Sequence, residues 1–431
     1  MIKHLTLIAS LVFLASCNSS SSSSSGAGTA TSSCTTVNEA GRQWLAAWGG
    51  TRETDVQQGT GPAPVDTTIR NVVRVTTSGT HVRLRFFNED ETRPIIIGAA
   101  SIGIREGTSG AMLKTNSAVP VTFNCGKPTV VIPPNTVALE SDPIALTVNN
   151  QDDLAISLYI EGDNNPPEFS TAWNESYKLA DNSGNDVADE SGADFILIDD
   201  RPGQVPPGTP LICNGCRPYA LHGVDVLTDE AVGVMTFLGS SSFHGYNTSQ
   251  NAYRRVSDLL SVRMLNEVPH GQRHTIVTRA VGGDTLEAAS RDRMATDIWS
   301  TTGVSSVVVW VTNDLSSRSA QEIIENYRSV ISEAHSRGIN VFCPTWIPGA
   351  QSSPANLNGE RAELNEWILN SGECDGVVDY NAAVEAPGGL TFLPQYNSGD
   401  SIHSNDAGHQ LWSDITPLAD WIALPAPTSA N

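Results

Sequence analysis

The chain has 431 residues, enough for two domains, and 39% of them are hydrophobic, enough to build a sizeable core in each. Its 47 Asp and Glu outnumber 25 Lys and Arg, a formal net charge of −22 at pH 7. That balance excludes a nucleic-acid partner, because a phosphate backbone requires a basic footprint.

At the N-terminus, Lys3 and His4 precede an apolar run from Leu5 to Ala15. The run is too short to cross a bilayer and has the form of an export signal. It closes on Leu14-Ala15-Ser16-Cys17, which resembles the lipobox of bacterial lipoproteins. The resemblance implies removal of residues 1–16 and acylation of Cys17, and each acyl methylene buried in a membrane contributes about 0.8 kcal/mol. Residues 17–40 read as a Ser-rich tether, since a Ser, Gly, Ala and Thr tract buries too little apolar area to offset its ordering entropy. The expected location is the bacterial cell envelope, lipid-anchored at the outer membrane on its periplasmic or surface side.

Setting Cys17 aside leaves Cys34, Cys125, Cys213, Cys216, Cys343 and Cys374. An even set in an oxidising compartment favours disulfides, although six cysteines allow fifteen pairings. Cys213-Asn214-Gly215-Cys216 has no partner pair at zinc spacing and reads as a local disulfide. Cys343 and Cys374 each flank a predicted strand and are expected to form another. No metal site is expected.

From Thr67 to about Ile160 the apolar period is two. Val82, Leu84 and Phe86 share one face, and short β-rich runs recur at 69–75, 94–97, 129–132 and 154–160 with Gly, Pro, Asn and Asp between them. This predicts an antiparallel β-sandwich, with its linker, over 41–228. From Ala231 the pattern alternates. Runs at 232–238, 275–277, 307–311, 339–342 and 376–380 predict strands, separated by helical stripes. Ser319 and Glu322 are spaced as a capping box ahead of Ile323, Ile324, Tyr327, Val330 and Ile331. A parallel sheet covered by helices is expected over 229–425, with reactive groups at the carboxyl ends of its strands.

Four such ends carry chemistry: Gly239-Ser240-Ser241, Gly282-Gly283-Asp284, Thr312-Asn313-Asp314 and a late Asp400-Ser401-Ile402-His403. Each is weak alone, because Ser and Gly are ordinary turn residues. In this order they resemble the four blocks of the SGNH, or GDSL, hydrolase family, from about Val232 to Leu418. The region around Trp44, Trp48, 70–76, 81–88 and 94–104 is similar to the segment preceding the SGNH domain in one group of exported bacterial esterases. The resemblance implies a flavodoxin-like α/β sheet, Ser241 as nucleophile, His403 as base and Asp400 as its partner. It implies three oxyanion donors: the backbone N–H groups of Ser241 and Gly283 and the Asn313 side chain. No cofactor is implied. Ser240 and Ser242 remain alternatives to Ser241, although the register from Leu238 to Gly245 favours Ser241.

Two positions depart from the family. Ser240 stands where an aspartate is usual, and Val311 stands where glycine is usual. The expected activity is carboxyl-ester hydrolysis through an acyl-enzyme, removing O-acyl groups such as acetyl from carbohydrate or other small esters, including an acylated polysaccharide. The alternative is a catalytically degenerate surface binding protein on the same fold.

Overall fold

The structure is a computed structural model. It describes residues 37–52, 66–88, 90, 92–162, 169–170, 175–179, 187–192, 195–197, 220–249, 252–349 and 357–427. Cys17, the tether, Cys34, Cys213 and Cys216 lie outside the described residues. Among the described residues, no helix is long and apolar enough to cross a membrane.

Two antiparallel sheets face each other in the N-terminal region. One places Leu221–Thr228 between Gln43–Gly49 and His81–Asn88, with Thr136–Glu140 beyond. The other is centred on Thr67–Arg74, Asp153–Ile160 and Ile95–Ile104. Val82, Leu84, Phe86, Val224 and Val226 from the first sheet share a core with Ile69, Val73, Ile102, Leu154 and Ile156 from the second. Each such side chain, fully buried, contributes about 1.5–3 kcal/mol. The stretch read as linker up to Thr228 therefore includes a central strand of this sandwich. Its His222, Gly223 and Asp225 interrupt the apolar alternation that marks a strand, yet all eight residues are buried.

The C-terminal region holds five parallel strands in the spatial order Arg273–Ala280, Ala231–Gly239, Val304–Trp310, Asn340–Pro344, Gly376–Val378. Numbered along the chain, that order is 2-1-3-4-5, the flavodoxin-like arrangement expected. The strand predicted over 376–380 stops at Val378 because Asp379 caps a helix, Tyr380–Val384, by accepting from the Ala382 N–H at 2.9 Å. The Ser319–Glu322 capping box opens helix Ala320–Ser336, whose Ile323, Ile324, Tyr327, Val330 and Ile331 enter the core. Cys343 and Cys374 are bonded, with Cα atoms 6.1 Å apart, as expected, and Cys125 is disulfide-bonded too.

Strand Arg273–Ala280 is an edge, and an open edge presents unpaired N–H and C=O groups. The sandwich covers it. Thr76 Oγ1 accepts from Ile276 N–H at 3.2 Å, and Thr51 Oγ1 donates to the Ala280 carbonyl at 3.0 Å. Leu45 and Ala46 pack against Ala231, Val234 and Val277. Arg279, fully buried, donates to the carbonyls of Gly50 and His222.

Candidate active site

Strand Ala231–Gly239 runs directly into a short helix, Ser241–His244. Gly239 is required at the junction, because a Cβ there would lie 2.5 Å from the Cβ of Phe243. Phe243 anchors the helix between Phe237 and Trp310, with ring centroids 5.0 and 4.9 Å away. The adjacent strands Ala231–Gly239 and Val304–Trp310 thus deliver Ser241 and the Thr312–Asp314 loop side by side. This is the switch point where strand order reverses, the usual place for reactive groups in such sheets.

Ser241 Oγ stands 2.8 Å from His403 Nε2, and His403 Nδ1 stands 2.6 Å from Asp400 Oδ2. With Asp400 ionised, the proton between them belongs on Nδ1, which leaves Nε2 to accept from the serine hydroxyl. Asp400 Oδ1 accepts from the backbone N–H groups of Ile402 and His403, both at 2.8 Å, and from Ser398 Oγ at 3.0 Å. Partial burial opposes ionisation of Asp400, but these bonds, led by that from His403, outweigh it and hold its pKa below the usual carboxylate range. Tyr246 lies against the His403 ring, centroids 4.6 Å apart.

The side chains of the other two serines are buried. Ser240 is fully buried, and its Oγ accepts from the Thr312 N–H at 3.3 Å and pairs with Thr312 Oγ1 at 3.2 Å. Ser242 is also buried. Ser240 therefore ties the Ser241 turn to the neighbouring loop with neutral hydrogen bonds, at the position where the resemblance led one to expect a charge. Val311 is fully buried in the core cluster.

Gly283 lies in the loop after the edge strand with φ +78°, a conformation that disfavours any side chain. Val281 N–H donates to the Gly239 carbonyl at 3.0 Å, drawing that loop to the Ser241 turn. Asn313 Nδ2 donates to the Asp284 carbonyl at 2.8 Å. A carboxamide has two N–H hydrogens, so Asn313 holds this loop and retains a second donor. Asp314 accepts from the N–H of Leu286 at 2.6 Å and of Glu287 at 3.3 Å, at the start of a helix that continues as the π-helical stretch Ala289–Trp299. Arg293 on that stretch pairs with Asp284 at 2.7 Å and Asp297 at 2.9 Å. Burial pushes the carboxyls of Asp284 and Asp314 upward, against the pull of Arg293 on the first and of the N–H donors on the second.

Ser241, Gly283 and Asn313 thus follow three adjacent strands, whereas Asp400 and His403, expected at a fourth strand end, stand in the loop before helix Asp406–Ile415 and reach Ser241 by hydrogen bonds. Trp310 and Trp346 are core residues. Sequence reading missed Tyr246, Asn247, Ser398 and Arg293. Asn247 had only the turn chemistry of Gly245-Tyr246-Asn247 to mark it, and Arg293 sat in a stretch without an apolar stripe.

Residues 237–411 match the GDSL-like lipase/acylhydrolase family. Among curated proteins, none matches the chain. Similar solved structures include a lipase/acylhydrolase from Enterococcus faecalis (18% identity, TM-score 0.35), covering 46% of this chain and 100% of that one. A GDSL-like lipase from Bacteroides thetaiotaomicron has 16% identity and TM-score 0.35, covering 46% and 90%. An active-site mutant of a family two carbohydrate esterase from Clostridium thermocellum has 10% identity and TM-score 0.35, covering 88% and 97%. With the family match laid over the Ser241–His403–Asp400 line and the strand order, residues 237–411 are a GDSL-like lipase/acylhydrolase domain.

Proposed function

We propose that this protein is a serine carboxyl-ester hydrolase that works through an acyl-enzyme. The observation that carries the reading is the unbroken line from Ser241 Oγ to His403 Nε2 at 2.8 Å and from His403 Nδ1 to Asp400 Oδ2 at 2.6 Å. A serine hydroxyl is a poor nucleophile until a base takes its proton. As Oγ bonds the ester carbonyl carbon, that proton passes to His403 Nε2. The oxyanion is received by the backbone N–H groups of Ser241 and Gly283 and the second Asn313 N–H. Collapse breaks the ester C–O bond, and His403 returns the proton to the departing alcohol. Water then gives a proton to His403, attacks the acyl carbon, and releases the acid with Ser241 restored. Asp400, with its lowered pKa, stays ionised and balances the imidazolium.

The substrate class we infer is a short O-acyl ester, acetyl on carbohydrate above all, and the protein is anchored in the cell envelope through acylated Cys17. The export signal, the lipobox and the acidic, tethered design support that setting. Purified protein is expected to hydrolyse p-nitrophenyl acetate, and Ser241→Ala to lose about a millionfold in kcat. Equal background rates in both proteins would sink the esterase reading in favour of a binding protein. Release of acetate from an acetylated polysaccharide tests the substrate class.

A further inference from the structure

We propose that Asn247 is a positioning residue for the Ser241–His403–Asp400 line, through its bond to Asp400; the inference rests on the esterase reading. Five donors fix the Asp400 carboxylate. Ser398 Oγ, Ile402 N–H, His403 N–H and His403 Nδ1 belong to the same loop as Asp400 and move with it. The fifth is Asn247 Nδ2, at 2.8 Å from Oδ2, the oxygen that also receives His403 Nδ1. Among the described residues bonded to that carboxylate, Asn247 alone comes from the segment that follows Ser241. The second hydrogen of the same amide goes to Ser398 Oγ at 3.0 Å.

The segment linking Asn247 to Ser241 is short and bonded to itself. Tyr246 N–H donates to the Ser241 carbonyl at 3.0 Å, and the Tyr246 ring lies against His403. The links therefore close a ring: Ser241 to His403, to Asp400, to Asn247, and back through the Tyr246 backbone. Asn247 has φ +66°, a left-handed conformation that glycine adopts most freely and asparagine tolerates better than most residues. The backbone alone would accept glycine, as it does at Gly245 with φ +84°. What the asparagine adds is the amide on Asp400. It fixes the carboxylate plane relative to the serine helix, and hence the direction in which His403 Nε2 meets Oγ.

A neighbouring tie makes this testable without undocking the loops. Ser249 N–H and Oγ donate to Asp406 at 2.7 and 2.6 Å, so the two loops stay joined when the Asn247 amide is removed. Asn247→Gly, which keeps the left-handed backbone, is expected to lower kcat for p-nitrophenyl acetate about 10- to 100-fold, with KM within about threefold and Tm unchanged. Asn247→Asp, which sets a carboxylate against Asp400, is expected to lower kcat further. Ser249→Ala should retain kcat. An active wild type with an equally active Asn247→Gly overturns this inference alone, as does a kcat loss matched by a rise in KM or by an equal loss in Ser249→Ala. Should Asn247→Gly fail to fold, Asn247→Asp decides: wild-type kcat in that protein overturns the inference. A wild type as inactive as Ser241→Ala overturns the esterase reading first, and this inference with it.

Discussion

The two sides of the site are held by opposite means. Where the proton would move, Asp400 stands on a loop with its side chain 31% exposed, fixed by N–H and O–H donors. Where the oxyanion would form, buried charges hold the loops: the side chains of Asp284, Arg293 and Asp297 are 9%, 8% and 6% exposed, and Asp314 is fully buried. Hydrogen bonds lower the pKa of Asp400, whereas burial raises those of Asp284 and Asp314. The proton-moving side can therefore be altered at little cost to folding. On the oxyanion side, removing one partner strands a charge in a low-dielectric interior.

That contrast is breakable. The largest effect is expected from Asp400→Asn, which presents the wrong partner to His403 Nδ1: kcat should fall about ten-thousandfold while urea unfolding shifts little. Steady-state hydrolysis and urea melts on one preparation check both halves. A stability loss as large as the one expected on the other side would erase the distinction. Arg293→Met removes the cation shared by Asp284 and Asp297, and should cost about 3–5 kcal/mol in urea unfolding. A loss below about 1 kcal/mol would show that the pairing is not what holds that loop.

The smallest effect, and the sharpest in sign, is the response to acid. Asp400 has a folded-state pKa below its unfolded value of about 3.9. Its contribution is present above that unfolded value and is lost as pH falls through the folded one. Asp314 is raised, so its contribution is full below the unfolded value and is lost as pH rises through the folded one. Unfolding free energies of wild type, Asp400→Asn and Asp314→Asn, measured from pH 3 to 7, should show differences from wild type with opposite slopes. Slopes of the same sign would refute the assignment of opposite environments.

Strand His81–Asn88 and the helix opened by Ser319 were legible in sequence because Val82, Leu84 and Phe86 in the first, and Ile323, Ile324, Tyr327, Val330 and Ile331 in the second, repeat at the period of a strand and of a helix. Two elements escaped because they bury polar residues among their apolar ones. Leu221–Thr228 buries His222 and Asp225 at the domain junction, where Arg83 pairs with Asp225 at 2.9 Å. Ala289–Trp299 turns Arg293 and Asp297 inward, so no stripe at a helical period marks it. His222 is neutral there, pushed down to about 4 by burial and by Arg279. A pattern reading that equates burial with apolarity misses such elements.

The sequence by itself determined the order of the blocks, the residue types at each strand end, and the two periodicities that separate sandwich from parallel sheet. These are local properties, carried by spacing along the chain. Only the tertiary structure decided which of three adjacent serines meets the histidine. It also decided that Ser240 bonds to Thr312 in place of a charge, and that Asn247 holds Asp400. Ser241 and His403 are 162 positions apart, yet their reacting atoms are 2.8 Å apart. Hydrogen bonds and desolvation act over a few ångströms in space, so the partners that set this chemistry exist only once the loops are brought together.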